Sequence, residues 1–477
     1  MLTSAQEAVL EQIIEAFQNG KRLVDLPDAE GTNPYDLLVE VCENGESKKA
    51  RLAAMLPYVE QDAAYGIEFD TTVSSPTCTR IGSTALHKQV PIQSRMKGCL
   101  LDDNGNVVEY LMPQDWTGQV RDGSAGQVMV EIPQHYRKFV TEGTKRQVWL
   151  SELPLPGYHL VPKQYVSAYE ATVDRTNNKL ASVVNLTTQY RGGDNSATND
   201  SKPTTYLGRP ASNLSRTQFR SYARARKAGS SEWNCMTYDM QKILYWLFVV
   251  EYATLNSQAA YNAQLDANGY HQGGLGDGVT TLSSSEWSEL NGSHPFIPCG
   301  TSDTLGNGSG QVDYVVKNGE GTTVKTVHVN RYRGVENPFG HIWQWTDGIN
   351  VRVNPDSGNG LSEVFVCSDP TKFSDSGYTD YTHVGNEERV DGYVKEIIFG
   401  ETGDIMPTLA GGGSTTFFCD NHYQDHNVSS PTLRGVLFGG DAGYGANAGF
   451  AAAYSRTAPS NSHSIIGSRL CFIPAAA

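Results

Sequence analysis

The spacing of apolar positions changes along this chain, and the changes divide it into three parts. Near the start Val9, Leu10, Ile13, Ile14 and Phe17 recur at helical spacing behind the capping pattern Ser4-x-x-Glu7, and Gly20 closes the run. Helical patterns also cover 34–41 and 48–56, so residues 1–65 read as a short helical N-terminal segment. From 66 to 160 a period of two takes over. Asp103-Asn104-Gly105-Asn106 lies between the runs 97–101 and 107–111 as a hairpin signal, and 127–132 and 147–150 alternate as strands with one exposed face. Pro154, Pro156 and Gly157 mark the next boundary. From 161 to 477 helices and strands mix. Ser215-x-x-Gln218 opens a helix with Phe219, Tyr222 and Ala223 on one face, closed near Gly229. Thr237 caps a second helix, apolar nearly all round, that runs to about Ala253 and belongs in a core. Residues 255–325, rich in Gly, Ser and Asn, look like long inserted loops. The fold class is α+β: a helical start, a β-rich module and a large mixed domain.

The C-terminal stretch changes the picture. From 425 to 477 there is no Lys, Glu, Gln, Trp or Met, although those types fill 77 of the 477 positions. Two alternating runs, 433–438 and 466–473, frame a loop at about 441–464 that opens Gly440-Asp441-Ala442-Gly443-Tyr444-Gly445. A rigid two-strand frame holding small residues with scattered Tyr, Ser and Asn has the composition of a binding surface. A Gly/Ala-rich structural loop is the plain alternative. The candidate ligand contacts are Asp441, Tyr444, Asn447, Phe450, Tyr454, Arg456, Asn461 and His463. The three aromatics would supply buried area and the others hydrogen bonds.

Charge and cysteine content narrow the function. A net charge of −15 and a pI near 5.2, with no basic tract, exclude nucleic acid as the main partner. The start lacks a basic region followed by an apolar core, and the apolar run 243–250 is too short to cross a bilayer, so synthesis in the cytoplasm without membrane insertion is expected. Eight dispersed cysteines with no C-x-x-C pair point to buried free thiols. His422 and His426 at i,i+4 would bind zinc only on a helix, and Tyr423 stands where a zinc-protease motif has Glu, so a polar loop is the better reading. The acidic turns at 266–269 and 356–360 lack full calcium-loop spacing. No metal, cofactor or catalytic residue is assigned.

Two resemblances follow. Gly126-Gln127-Val128-Met129-Val130-Glu131-Ile132-Pro133 with Trp149-Leu150-Ser151 and Pro156-Gly157-Tyr158-His159 resembles a module of phage tail and tail-fibre proteins, over about 90 residues. Further on, Ser167-Ala168-Tyr169-Glu170, Gly208-Arg209-Pro210, Asn337-Pro338-Phe339-Gly340-His341-Ile342-Trp343-Gln344-Trp345 and the closing pair Arg434-Gly435-Val436-Leu437-Phe438-Gly439-Gly440 and Gly467-Ser468-Arg469-Leu470-Cys471-Phe472 resemble, in order, the C-type-lectin-like fold of the formylglycine-generating enzyme type. Trp343 and Trp345 then belong to its core. Within that fold, the Gly-Gly-loop-Gly-x-Arg ending resembles variable proteins of diversity-generating retroelements. Their adenine-directed randomisation of AAC codons cannot produce the five absent residue types, although the gap also covers the framing strands, which the mechanism does not explain.

These resemblances imply a non-catalytic adhesin: a phage tail-fibre tip carried on the virion, assembled as a homotrimer with other tail proteins, that binds a bacterial cell-surface protein or glycan. A cellular surface-display protein is one alternative. A metal-dependent oxidoreductase of the formylglycine-generating type is another, but its chemistry needs a reactive cysteine pair in the terminal loop, and 440–469 contains no cysteine.

Overall fold

The computed structural model describes residues 60–475, together with the backbone of two strands before them, β1 (Leu38–Glu43) and β2 (Glu46–Arg51). The helix expected over 4–20 lies outside the described residues. The patterns at 34–41 and 48–56 suggested helix; 34–37 and 52–56 lie outside the described residues, but over 38–41 and 48–51 the chain forms β1 and β2, which pair antiparallel with Glu43 opposite Glu46. The deciding signal is local: Val39 and Val41 alternate with Glu40 and Cys42, the period of a strand.

Next come β3 (Ala64–Asp70), β4 (Thr79–Gly82), helices α1 (Thr84–Gln89) and α2 (Pro91–Ser94), β5 (Lys97–Leu101), β6 (Val107–Tyr110), β7 (Gln127–Ile132), β8 (His135–Glu142), β9 (Lys145–Ser151) and β10 (His159–Val161). The hairpin expected around Asp103-Asn104-Gly105-Asn106 is present, with β5 and β6 antiparallel. Asp102 Oδ1 accepts from the backbone of Asn104 and Asn106 and so holds the turn. Strands β10-β8-β9-β3-β4 form a five-stranded sheet.

The remaining elements are β11 (Gln164–Ser167), β12 (Thr172–Asp174), β13 (Lys179–Ala181), α3 (Arg216–Arg224), β14 (Trp233–Cys235), α4 (Tyr238–Tyr252), α5 (Ser284–Asn291), β15 (Gly310–Lys317), β16 (Thr323–Tyr332) and β17 (Val335–Glu336). They are followed by β18 (Trp343–Val353), β19 (Ser362–Val366), β20 (Thr382–Asn386), β21 (Gly392–Phe399), β22 (Asp404–Ala410), β23 (Asn421–Tyr423), β24 (Thr432–Gly439), β25 (Gly449–Tyr454), β26 (Ile466–Gly467) and β27 (Leu470–Phe472). Among the described residues, twenty-seven strands against five α-helices make this a β-rich fold with few helices.

The expected boundary at 160 is not a break in the molecule. A six-stranded sheet runs β14-β27-β11-β7-β5-β6, so β7 pairs with β11 (Ile132 opposite Gln164) and the chain's last strand lies on β11's other side. With neighbours on both edges and both faces covered, β7 is buried along its whole length, not on one face as its alternation suggested. Its two polar side chains are satisfied there: Gln127 accepts from the Ser182 N–H, and Glu131 accepts from the hydroxyls of Tyr110 and Tyr165. One core cluster joins Ile67, Trp116 and Val128 to Trp246, Phe399 and Phe450.

Helix α4 stitches the two ends together. The Thr237 hydroxyl caps the Met240 N–H and the helix ends at Ala253, as the sequence predicted; Ala253 takes a left-handed conformation. The helix packs on β3, β9 and β18, and its buried Lys242 pairs with Asp404. Helix α3 also forms as expected, with its capping box closed between Ser215 and Gln218. Region 255–325 is more ordered than inserted loops: Ser283 and Glu286 form a capping box that starts α5, and β15 and β16 form a hairpin.

Candidate functional site

The largest sheet, nine strands in all, runs β20-β19-β18-β24-β25-β23-β21-β22, with β26 parallel to the start of β18. The two framing strands therefore do not pair with each other: β24 and β26 both pair with β18, and β27 belongs to the other sheet. The loop they were expected to frame is itself partly a strand. The chain leaves β24 through Gly439 and Gly440 and passes a single 3-10 turn at Gly445–Asn447. It then returns as β25, antiparallel to β24. Gly440 has φ +78, and a Cβ there would lie 2.6 Å from the Ala448 Cβ, so only glycine fits.

Backbone anchors hold this segment. Thr280 O accepts from the Gly445 N–H, and His341 O accepts from the Ala442 N–H. Ser257 Oγ accepts from the Phe450 N–H at 3.1 Å, and Asp420 accepts from the Ala451 N–H at 2.8 Å. The second half, 455–465, is tied to the residues around α3: the Arg216 N–H donates to Pro459 O and the Asn213 N–H to His463 O. The Arg216 guanidinium is buried and donates to Ile349 O and the Asn350 amide oxygen, which fixes α3 on β18. Burial would raise the Asp375 carboxyl, but Arg216 and Arg220 hold it down at about 2.

Between these halves lies a cluster of four aromatic rings. Trp343, buried at the start of β18, is the floor; Tyr423 from β23, Tyr444 and Tyr454 are half-buried around it. Trp343 meets Tyr444 edge-on at 5.1 Å between ring centroids, Tyr454 at 5.4 Å and Tyr423 at 6.4 Å. Tyr423 meets Tyr444 at 5.2 Å. Asn447 donates to the Tyr423 hydroxyl at 3.0 Å and receives a bond from Asn421. The Arg456 guanidinium lies 5.5 Å from the Tyr423 ring centre and 5.8 Å from that of Tyr454, paired with Asp391. The Asp441 carboxyl, only 3% exposed, accepts from the Gly443 N–H at 2.9 Å. Burial pushes it up to about 7 against that bond and against hydrogen bonding from the Trp343 indole.

The structure separates the eight candidate contacts. Tyr444, Asn447, Tyr454 and Arg456 come together at the cluster. Asn461 and His463 are exposed and sit on the stretch tied to Asn213. Two are not surface contacts. Phe450 is 0% exposed among Tyr245, Phe248, Tyr332 and Phe339, because β25 lies inside the sheet and turns this side chain onto α4. Asp441 is almost fully buried, with the Trp343 indole and the phenols of Tyr423 and Tyr444 as neighbours. Tyr423 was missed. It joins the cluster because β23 pairs in parallel with β25, Tyr423 opposite Tyr454. Its only signal in the sequence was the polar stretch in which His422 and His426 drew attention.

That stretch is not a helix. His422 is on strand β23, buried, and bonds Glu387 at 2.7 Å, so the i,i+4 geometry for a metal does not arise. Among the described residues no three His, Cys, Asp or Glu side chains stand close enough to share a metal. Cys471 is buried in its closing strand as expected, and burial pushes both it and Cys419 up to about 12, far from a reactive thiolate. Trp343 and Trp345 are core residues, as expected. Asp266 accepts from the Asn268 and Tyr270 N–H groups as an ordinary turn residue.

No protein-family model and no curated protein matches the chain. Among solved structures it is similar to the P3c variant of a major tropism determinant at 13% identity, over 65% of this chain and 50% of that one, with a TM-score of 0.25. The U1 variant is similar at 13% identity over 79% and 72%, with a TM-score of 0.26. The I1 variant is similar at 12% over 71% and 72%, with a TM-score of 0.20. The chain thus spans half the length of the P3c variant, and at these TM-scores the site rests on its own geometry.

Proposed function

We propose that this protein is a non-catalytic receptor-binding protein whose terminal segment, 441–464, contacts a bacterial surface ligand. The observation that carries the reading is the surface cluster of Tyr423, Tyr444 and Tyr454 on a buried Trp343 floor, with Arg456 and Asn447 at its edge. Half-exposed tyrosines locked by ring packing, Tyr423 and Tyr454 on strands and Tyr444 at the start of the 3-10 turn, give contact area at little entropic cost, and the segment between them is held by backbone bonds to the rest of the fold. The finer parts of the reading are a C-type-lectin-like domain of the formylglycine-generating enzyme type, diversification of the segment by a retroelement, a place on a phage tail fibre and a homotrimeric state that adds avidity. They rest on the sequence resemblances.

Two experiments test this. Sequencing the codons for 430–477 across the source population is expected to find substitutions concentrated in 441–464 and limited to codons ending in C; variation spread evenly over the chain would remove the diversification. For the contact surface, Tyr444→Phe and Tyr454→Phe keep the ring packing and remove only the hydroxyls. Each is expected to leave the melting temperature unchanged and to weaken adsorption to a binding bacterial strain roughly threefold to tenfold. The alanine variants are expected to weaken adsorption by about tenfold or more, with a modest stability cost of about 1–2 kcal/mol because the rings pack on Trp343. Unchanged adsorption in the double alanine variant would place the contact surface elsewhere.

A further inference from the structure

Away from the aromatic cluster, an open groove of about 560 Å3 lies between the loop 199–204, helix α5 and the tip of the β15–β16 hairpin. Its volume is within the range of about 300–1,000 Å3 usual for ligand sites. The walls are fixed locally. The capping box between Ser283 and Glu286 sets the start of α5, and Asn318 Oδ1 accepts from the Glu320 and Thr322 N–H groups and so holds the hairpin tip. The tip and the loop stand close at Gly319, where a Cβ would lie 3.6 Å from Lys202 Cδ and 3.9 Å from Thr204 Oγ1. Thr204 is the informative residue. It is only 2% exposed, yet it lines the groove, and among the described residues its hydroxyl has no hydrogen-bond partner. A hydroxyl on so buried a side chain normally finds one. The same holds for other polar groups of the lining: the carboxylates of Glu289 and Glu320, the Lys202 ammonium and the Asn318 amide nitrogen have no partner among the described residues. Apolar lining is confined to Leu290 and Val324.

We propose that this groove binds a saccharide that carries no negative charge. A sugar offers neighbouring hydroxyls, each both donor and acceptor. The groove holds the matching set: two carboxylates that only accept, an ammonium and an amide nitrogen that donate, and the Thr204 hydroxyl that does both. Three carboxylates, Glu286, Glu289 and Glu320, stand against Lys202, so an acidic sugar is repelled. A peptide would have to seat aromatic or aliphatic anchors, for which this polar trough has no pocket. The groove adjoins the terminal segment, since a Cβ on Gly443 would lie 2.6 Å from Ser284 Oγ at the start of α5, but it shares no residue with that segment. The saccharide site therefore does not depend on the aromatic cluster being a contact surface.

The test applies the full chain to an array of neutral, amino-bearing and acidic oligosaccharides and titrates the best binder by calorimetry. Binding is expected for neutral or amino-bearing members and not for acidic ones. Thr204→Val keeps the shape and removes the hydroxyl; it is expected to weaken binding about threefold to tenfold at an unchanged melting temperature. Glu289→Gln, at an exposed position, is expected to do the same whatever Thr204→Val does to folding. The Gly319 backbone is not left-handed, so Gly319→Leu can be accommodated, fills the groove and is expected to abolish binding. The Tyr444→Ala, Tyr454→Ala double variant is expected to bind the saccharide normally. Binding to no saccharide, binding to acidic ones alone, or full binding by all three groove variants overturns the proposal. Loss of binding in the tyrosine double variant alone moves the sugar to the aromatic cluster and overturns it as well. If acetyl-Lys-Gly-Lys-Gly-Lys amide binds, is lost in Glu289→Gln, and no saccharide competes with it, the groove is a basic-peptide site and the saccharide assignment falls.

Discussion

Asp441→Asn is expected to make the free protein more stable at about pH 8, by roughly 2–4 kcal/mol, and to change it little near pH 4. Burial is the cause: it lifts the Asp441 carboxyl from 3.8 to about 7, with hydrogen bonding from the Gly443 N–H and the Trp343 indole opposing. The groups that face it are the phenols of Tyr423 and Tyr444 and the indole of Trp343, none of which supplies a positive charge. Between the two values the native state holds this proton more tightly than the unfolded chain does. Stability therefore falls as pH rises through that window and levels off above about 7. Asn matches the protonated acid in shape and never ionises, so the variant escapes the loss. Urea denaturation of both proteins at the two pH values measures it; parallel pH profiles would mean that Asp441 ionises freely.

Phe450→Ala is expected to destabilise the protein by about 3–5 kcal/mol, the usual range for deleting a buried phenylalanine ring. The ring is fully buried, with Phe248 at 5.6 Å, Phe339 at 5.7 Å, Tyr332 at 6.1 Å and Tyr245 at 6.5 Å between centroids. It links the loop's own strand to helix α4, so its loss should loosen the base on which Tyr444 and Tyr454 are presented. Chemical denaturation gives the value directly. A loss below about 1 kcal/mol, the level of a surface change, would show the ring to be peripheral. The contrast with Tyr454→Phe is the informative part: two aromatic residues four positions apart on one strand, one expected to alter stability and the other binding.

What could be read in advance was local. Ser215 with Gln218 and Thr237 start helices where their side chains meet backbone N–H groups within three residues, and α4 ends at Ala253, where its apolar run gives out. The Asp102 turn closes its hairpin by bonds that span at most four residues. Trp343 and Trp345 read as core because large aromatics in an alternating run need cover, and the terminal segment stood out by composition alone. The misreadings at 38–41 and 48–51 were also local, since the alternation of Val39 and Val41 with Glu40 and Cys42 was there to be seen.

Which strands become neighbours was decided only in three dimensions. Alternation says that a strand has two faces but not whether one or both are covered, so β7 looked half-exposed and Phe450 looked free. The parallel pairing of β23 with β25 put Tyr423 beside Tyr454 across 31 positions of sequence, and the return of β27 to β11 joined parts that composition had divided at 160. The sequence by itself determined caps, turns, the burial of its tryptophans and the unusual make-up of its end. Sheet order, and with it the aromatic cluster and the buried carboxyl beside Trp343, came from the tertiary structure, because contacts between distant strands depend on how every other strand is already packed.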